Sequence, residues 1–123
     1  MKFLLDTSFL ISALRFKVDI LSELMKFGKP ELYTLRSVVS ELAKISSSSG
    51  KSGKNALLAL SFVNKKVKII EDVNRTNTDE SIINIAKDKE FIVCTQDSEL
   101  KKKLKRIGVS IITIRQKKYL SKE

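Results

Sequence analysis

Short apolar runs alternate with helical patterns along this chain, and the alternation predicts an α/β fold. Apolar residues recur at three- and four-residue spacing between the runs, as they do on the buried face of a helix. This order is typical of βαβ units. The pattern predicts a three-layer α/β/α fold around a five-stranded, mainly parallel sheet, with strands near residues 2–6, 31–34, 67–70, 91–95 and 109–114.

The remaining segments are assigned from their spacing and their capping residues. Ser37 is the expected N-cap of a helix that carries Glu41, and Gly108 is expected to end the last helix. At 123 residues we expect one domain, residues 1–114, with a basic C-terminal tail, 115–123, in which Tyr119 and Leu120 supply an apolar anchor. The other helices are predicted over residues 8–14, 20–25, 56–63, 79–86 and 98–106.

The segment 46–54 is rich in Ser, Gly and Lys, and we predict a flexible basic loop there. Gly50-Lys51-Ser52 matches the end of a P-loop fingerprint. However, the first glycine of that fingerprint would fall on Ile45, and the segment follows a helix rather than a strand. A phosphate cradle is therefore not predicted at this position.

Four acidic residues lie where a parallel sheet would bring them together. Asp6 and Asp97 each close a predicted strand, whereas Glu41 and Asp79 lie near the start of predicted helices. Ligands of open α/β sheets bind beyond the carboxyl ends of the strands. Helix capping is the alternative explanation for the three aspartates, but it does not explain Glu41 beside an apolar face. We therefore predict one acidic pocket.

The overall charge indicates a polyanionic partner. The chain has 24 Lys and Arg against 14 Asp and Glu, a net charge of +10, and its isoelectric point is about 9.8. A basic surface attracts nucleic-acid phosphates, and an acidic pocket holds divalent ions that activate water. The chain lacks histidine, which excludes His-dependent nucleophilic catalysis and His-ligated zinc. Hard oxygen ligands without histidine favour Mg²⁺ or Mn²⁺.

Polar and basic residues around the acids complete the predicted site. Hydroxyl groups that flank Asp6 and Asp97 are expected to orient the carboxylates: Thr7, Ser8, Thr95 and Ser98. A basic ridge after Asp97, with the C-terminal tail, is expected to bind RNA phosphates: Lys101, Lys102, Lys103, Lys105, Arg106, Arg115, Lys117 and Lys118. Cys94 is the single cysteine and no apolar run approaches 18 residues, so we expect a cytoplasmic protein.

Four segments resemble the signature blocks of the PIN-domain ribonucleases. These are Leu4-Leu5-Asp6-Thr7-Ser8, Val39-Ser40-Glu41-Leu42, Asp79-Glu80-Ser81-Ile82 and Val93-Cys94-Thr95-Gln96-Asp97-Ser98-Glu99-Leu100. The resemblance runs from residue 2 to about 114. It implies a five-stranded parallel sheet and single-stranded RNA hydrolysis with Mg²⁺ or Mn²⁺. By position, Asp6, Glu41, Asp79 and Asp97 fall on the metal-binding, catalytic acids, and Glu99 on a secondary acid.

Within that family, residues 97–109 most resemble the archaeal form of the branch that processes small-subunit ribosomal RNA. The toxin branch, which pairs with a small antitoxin, typically has an aromatic residue shortly after the last aspartate, and this chain has Ser98, Glu99 and Leu100 there. A toxin ribonuclease with an antitoxin partner stays open as the alternative. A non-catalytic PIN-like RNA-binding module and a homodimer stay open too.

Overall fold

The computed structural model describes residues 1–72, 77–88 and 90–123, and its elements follow the predicted alternation. In this described part the order is β1 (Lys2–Leu5), α1 (Thr7–Arg15), α2 (Ile20–Leu24), β2 (Glu31–Leu35), α3 (Arg36–Ser46), α4 (Lys51–Lys66), β3 (Lys68–Ile70), α5 (Thr78–Asp88), β4 (Phe91–Cys94), α6 (Ser98–Arg106), β5 (Ile111–Arg115) and β6 (Tyr119–Lys122).

The strands form one mainly parallel sheet, which confirms the predicted fold class. Their spatial order is β3-β2-β1-β4-β5-β6, with parallel pairing throughout except for the antiparallel pair β5–β6. The chain places β2 on one side of β1 and β4 on the other. The order of strands therefore reverses at β1, and in open α/β sheets this reversal opens a crevice at the carboxyl ends of the strands.

The central strand is buried on both faces. Phe3, Leu4 and Leu5 have no exposed surface, as expected for a parallel strand that helices cover on both sides. Helices α1, α3 and α4 pack against one another, whereas α5 contacts β4 and α6, and α6 contacts β5. None of the described helices is long and apolar enough to span a membrane.

The segment predicted as a tail contains a sixth strand. Gln116 and Lys117 have φ angles of 52° and 58°, and Lys118 N–H donates to the carbonyl oxygen of Arg115 at 3.0 Å. Two positive φ angles are the geometry of a type I′ turn, which reverses the chain into β6. Leu120 is 4% exposed and joins the core, whereas Tyr119 is 40% exposed. The apolar anchor is therefore Leu120.

The structure corrects the prediction of a loop over residues 46–54. Residues 51–54 form the first turn of α4, after Gly50 turns the chain with a φ of +86°. A Cβ atom at Gly53 would collide with the carbonyl oxygen of Ser48. Glycine therefore permits a close approach between this helix and the chain that leads into it, a constraint that local composition does not reveal.

The prediction that Ser37 caps α3 is wrong, because the helix starts two residues earlier, at Arg36. Leu35 occupies the N-cap position and provides no side-chain hydrogen bond. The cap comes instead from a distant residue: Asp72 Oδ1 accepts from the Ser37 N–H at 2.9 Å. Burial raises the pKa of Asp72, but hydrogen bonds from Ser37 and Ser81 outweigh it, and the pKa lies below its usual value.

Gly53→Ala should destabilise the protein by about 1–3 kcal/mol, because the added methyl group collides with backbone atoms. The expected sign is opposite to the usual one, since glycine-to-alanine changes inside a helix normally stabilise it by about 1 kcal/mol. Urea denaturation measures the difference. Ser52→Ala, at the preceding exposed position of α4, is the control and should be neutral or slightly stabilising. A Gly53→Ala variant as stable as this control would contradict the packing argument.

Candidate active site

Asp6 lies at the carboxyl end of the central strand and is held by three hydrogen bonds. Its Oδ1 accepts from the Thr7 N–H at 2.8 Å, and its Oδ2 accepts from Thr95 Oγ1 at 2.7 Å and from Ser8 Oγ at 3.0 Å. The side chain is only 5% exposed. Its orientation is therefore fixed before any ligand binds.

The environment of Asp6 disfavours its negative charge. Burial is the largest effect and raises the pKa of the carboxyl group to about 6, although hydrogen bonds from Thr95, Thr7 and Ser8 act in the opposite direction. The negative charge of Asp79 raises the pKa further. A nearby cation would reverse this balance, because it would favour the ionised form.

Asp97 follows β4 and is the N-cap of α6. Its Oδ1 accepts from the N–H groups of Glu99 at 2.9 Å and Leu100 at 3.2 Å. Its own N–H donates to Thr95 Oγ1 at 3.1 Å. The Thr95 hydroxyl thus contacts both the Asp6 carboxylate and the backbone of Asp97, and it connects the two predicted site residues.

Glu41 and Asp79 line one groove of about 620 Å³ between α3 and the start of α5. Glu41 lies in the second turn of α3 rather than in the predicted first turn. Asp79 lies in the first turn of α5, where Asn77 Oδ1 accepts from the N–H groups of Asp79 and Glu80 at 3.0 and 3.3 Å. This cap fixes the start of α5, where Asn77 and Asp79 line the groove.

Asp79 interacts electrostatically with each of the other three acids. Burial raises the pKa of its carboxyl group, and the charges of Asp97 and Glu41 raise it further, whereas Lys103 lowers it. Asp79 also acts on Asp6. The structure therefore places all four predicted acids within one electrostatic neighbourhood at the carboxyl edge of the sheet.

The donor chemistry of this neighbourhood fits a hard divalent cation. All four side chains offer carboxylate oxygens, which Mg²⁺ and Mn²⁺ prefer, and their mutual repulsion favours a bound positive charge. Within residues 1–72, 77–88 and 90–123, however, no three acidic or cysteine side chains lie close enough together to share one ion. The acids are neighbours but are not gathered into a coordination sphere.

The other predicted polar residues differ in their placement. Ser8 reaches Asp6, and it also accepts from the Gln96 N–H at 3.1 Å. The Thr7 hydroxyl is buried and has no hydrogen-bond partner in the part of the chain that the structure describes. Ser98 is exposed at the start of α6. Glu99 points outward, with a side chain 73% exposed and 3.7 Å from Lys102 Nζ.

The predicted RNA-binding residues differ in their exposure and in their ion pairs. Lys101 Nζ lies 3.0 Å from Glu123 Oε2 and 2.9 Å from Thr113 Oγ1, and its side chain is only 19% exposed. Lys105 and Arg115 also approach Glu123, at 3.3 and 4.0 Å. Lys105 and Arg115 nevertheless stay exposed, with side chains 55% and 52% accessible. The other exposed cations of the set do not pair with Glu123: Lys102, Lys103, Arg106, Lys117 and Lys118.

Sequence reasoning missed two residues around the acids. Asp72 follows β3 just as Asp6 follows β1, so the same strand-end signal could have identified it, although the structure uses it as a helix cap. Lys44 lines the groove with Glu41 and Asp79. It lies three residues after Glu41, a spacing that places two side chains on the same face of a helix.

The chain is similar to a known protein family and to a known ribonuclease. Residues 3–117 match the family described as PIN like domain. The chain is 36% identical over 120 residues to ribonuclease VapC4 from Methanocaldococcus jannaschii, covering 93% of this chain and 90% of that protein.

Two solved structures share the fold. The PIN domain endonuclease Utp24 superimposes with a TM-score of 0.85 at 22% identity, covering 99% of this chain and 90% of that one. VapBC2 from Rickettsia felis, solved with a DNA fragment from its promoter, superimposes with a TM-score of 0.65 at 18% identity, covering 92% of this chain and 98% of that one.

Stability without divalent ions should fall as the pH rises from about 4 to about 6, because folded Asp6 holds a proton that the unfolded chain releases earlier. A pKa raised from 3.8 to about 6 corresponds to a loss of about 3 kcal/mol. The Asp6→Asn variant should not show this loss of stability with rising pH. Urea denaturation in EDTA at pH 4, 5, 6 and 7 provides the measurement. Parallel pH profiles for the wild type and the variant would contradict the burial argument.

Proposed function

Because the chain belongs to the PIN-like domain family, we propose that it is a divalent-metal-dependent endoribonuclease that hydrolyses single-stranded RNA. The observation that carries this proposal is the placement of the acids: Thr95 links Asp6 at the end of β1 to the backbone of Asp97 after β4, and Glu41 and Asp79 line one groove. The 36% identity to a ribonuclease supports the class of reaction. The net charge of +10 supports an RNA substrate.

Asp6, Asp79 and Asp97, with Glu41, would hold the Mg²⁺ or Mn²⁺. A bound ion of this kind lowers the pKa of water and stabilises the leaving oxygen of a phosphodiester. The protein contributes the orientation of the ligands. Thr95 fixes the Asp6 carboxylate and the backbone of Asp97, and Ser8 fixes Asp6 from a second direction.

The exposed cations are proposed to bind the RNA backbone. Lys103 is the best placed of them, because it lies close enough to Asp79 to lower the pKa of that carboxyl group. Lys102 and Arg106 extend the positive surface along α6. Lys101 and Lys105 contribute less, since the Glu123 carboxylate already pairs with them.

Processing of small-subunit ribosomal RNA in the cytoplasm is the biological role that we propose. The lysine-rich helix after Asp97 suits a large structured RNA that is bound through phosphates rather than read by sequence. A homodimer is compatible with this role. The second candidate is a toxin ribonuclease with a small antitoxin partner, which the 36% identity to ribonuclease VapC4 favours.

Asp97→Asn should lower Mn²⁺-dependent cleavage of single-stranded RNA by about a hundredfold or more, since a charge that supports the transition state is lost. Folding should be preserved or improved, because asparagine also caps helices and one repulsive charge is removed. Glu90→Gln is the matched control: this exposed acid directly precedes β4, at the end of the strand opposite to Asp97, so its loss should leave cleavage unchanged.

Thermal melts with and without Mn²⁺ complete the test of the site. A ligand that binds only the folded state raises the melting temperature, and the rise should be smaller for Asp97→Asn than for the wild type. Equal cleavage by Asp97→Asn and the wild type would refute the proposed metal site. A wild-type melting temperature that is the same with and without Mn²⁺ would refute it too.

Expression in a bacterial host separates the two biological roles. We expect normal growth and co-purification of small-subunit precursor RNA, because a processing enzyme acts on a structured particle rather than on bulk messages. Asp6→Ala is the control for activity. Rapid growth arrest that Asp6→Ala abolishes would support the toxin and reject the processing role.

A further inference from the structure

The groove that contains Glu41 and Asp79 is larger than an ion needs. Its volume of about 620 Å³ lies in the range of pockets that hold small organic ligands. Polar side chains from three elements line it, including Ser40 from α3, Glu71 after β3 and Asn77 before α5. It opens directly beside two of the four acids. The groove is therefore positioned to take a portion of a substrate that extends beyond the bond to be cut.

Among the residues that the structure describes, Arg36 and Lys44 are the cations that line the groove, and Lys44 is the one available to a ligand. The guanidinium of Arg36 binds Glu71 with Nε–Oε2 and Nη2–Oε2 distances of 3.1 and 2.9 Å. Lys44 is exposed and forms no ion pair with any residue in the described part of the chain. Its ammonium group is thus the cation of the groove without a competing carboxylate partner.

The charge balance of the groove indicates which ligand Lys44 suits. An RNA phosphate that approaches Glu41 and Asp79 meets two negative charges, and like charges repel at this range. A cation one helical turn from Glu41 offsets part of this repulsion. A lysine ammonium on a long flexible stem can follow a phosphate as it enters, because its donors are not fixed in one plane.

We propose that this groove is a subsite for the RNA backbone next to the cleaved bond, and that Lys44 contacts a phosphate in it. The inference rests on the proposed ribonuclease function and extends the binding surface from α6, which carries Lys103, to α3, which carries Lys44. The RNA backbone would then pass between Lys44 and Lys103, with the acids between them.

Binding of a 5′-fluorescein-labelled single-stranded oligouridylate, measured by anisotropy in EDTA, tests this subsite without cleavage. Lys44→Gln should weaken binding about fivefold at 0.1 M salt and reduce the slope of log affinity against log salt by about 0.7, the value of one phosphate contact on a single strand. Lys44→Arg should restore both. The melting temperature of both variants should match the wild type, since the side chain has no described partner.

Lys87→Gln is the matched control. Lys87 is exposed in the last turn of α5, about 12 Å along that helix from Asp79. The Lys87→Gln substitution removes the same positive charge as Lys44→Gln, but at the end of α5 far from the groove. It should weaken binding by less than half as much as Lys44→Gln. Equal losses in the two variants would indicate a general charge effect and overturn the subsite, as would unchanged binding by Lys44→Gln.

The binding and cleavage results are independent. A wild type that does not cleave RNA with Mn²⁺, combined with weaker binding by Lys44→Gln, would reject the proposed nuclease but retain the subsite. A wild type that cleaves RNA, combined with unchanged binding by Lys44→Gln, would retain the nuclease and reject the subsite. A wild type that binds no RNA would overturn both.

Discussion

The hydrogen bond from Thr95 to Asp6 is the interaction on which the candidate site depends. Burial of a carboxylate costs free energy unless hydrogen bonds or a cation compensate for it. Asp6 receives that compensation from the neighbouring strand, because Leu5 pairs with Cys94 and brings Thr95 level with Asp6. The same hydroxyl accepts from the backbone of Asp97. One side chain thus ties together the ends of β1 and β4 and aligns two acids that are 91 residues apart in sequence.

The lysines of helix α6 have two different roles: one holds the helix to the sheet through an ion pair, and another acts on an acid of the candidate site. Leu100 and Leu104 are fully buried and face the core. At about 100° per residue, Lys101 and Lys103 fall on opposite flanks of this apolar stripe. Lys101 turns toward Glu123 and fastens α6 to the end of the sheet, whereas Lys103 acts on Asp79. The five basic residues within six positions therefore do not all have the same surroundings, and their binding of RNA stays a prediction.

The alternation of strands and helices was predictable, because its signal is local hydrophobic periodicity. The placement of Asp6 and Asp97 after strands and of Asp79 at a helix start was readable from the same pattern, whereas their binding of a metal stays a prediction. Strand β6 was not, because its type I′ turn uses Gln116 and Lys117 where Asn-Gly would have been the usual signal. The cap of α3 by Asp72, and the close approach at Gly53, depend on chain segments that meet only in the folded protein. The same is true of the pairing between Lys101 and Glu123.

The acids are held near one another by the backbone, at a cost in electrostatic repulsion. Glu41 owes its position to α3, and the N-terminus of α3 is fixed by Asp72 at the end of β3. Asp79 owes its position to the cap by Asn77. These fixed backbone points bring like charges together, and burial first, then the neighbouring negative charges, raise the pKa values of Asp6 and Asp79. Helix caps and strand register, rather than attraction among the side chains, therefore hold the acids near one another. A metal-free protein must bear this repulsion, and a divalent cation would convert it into binding free energy.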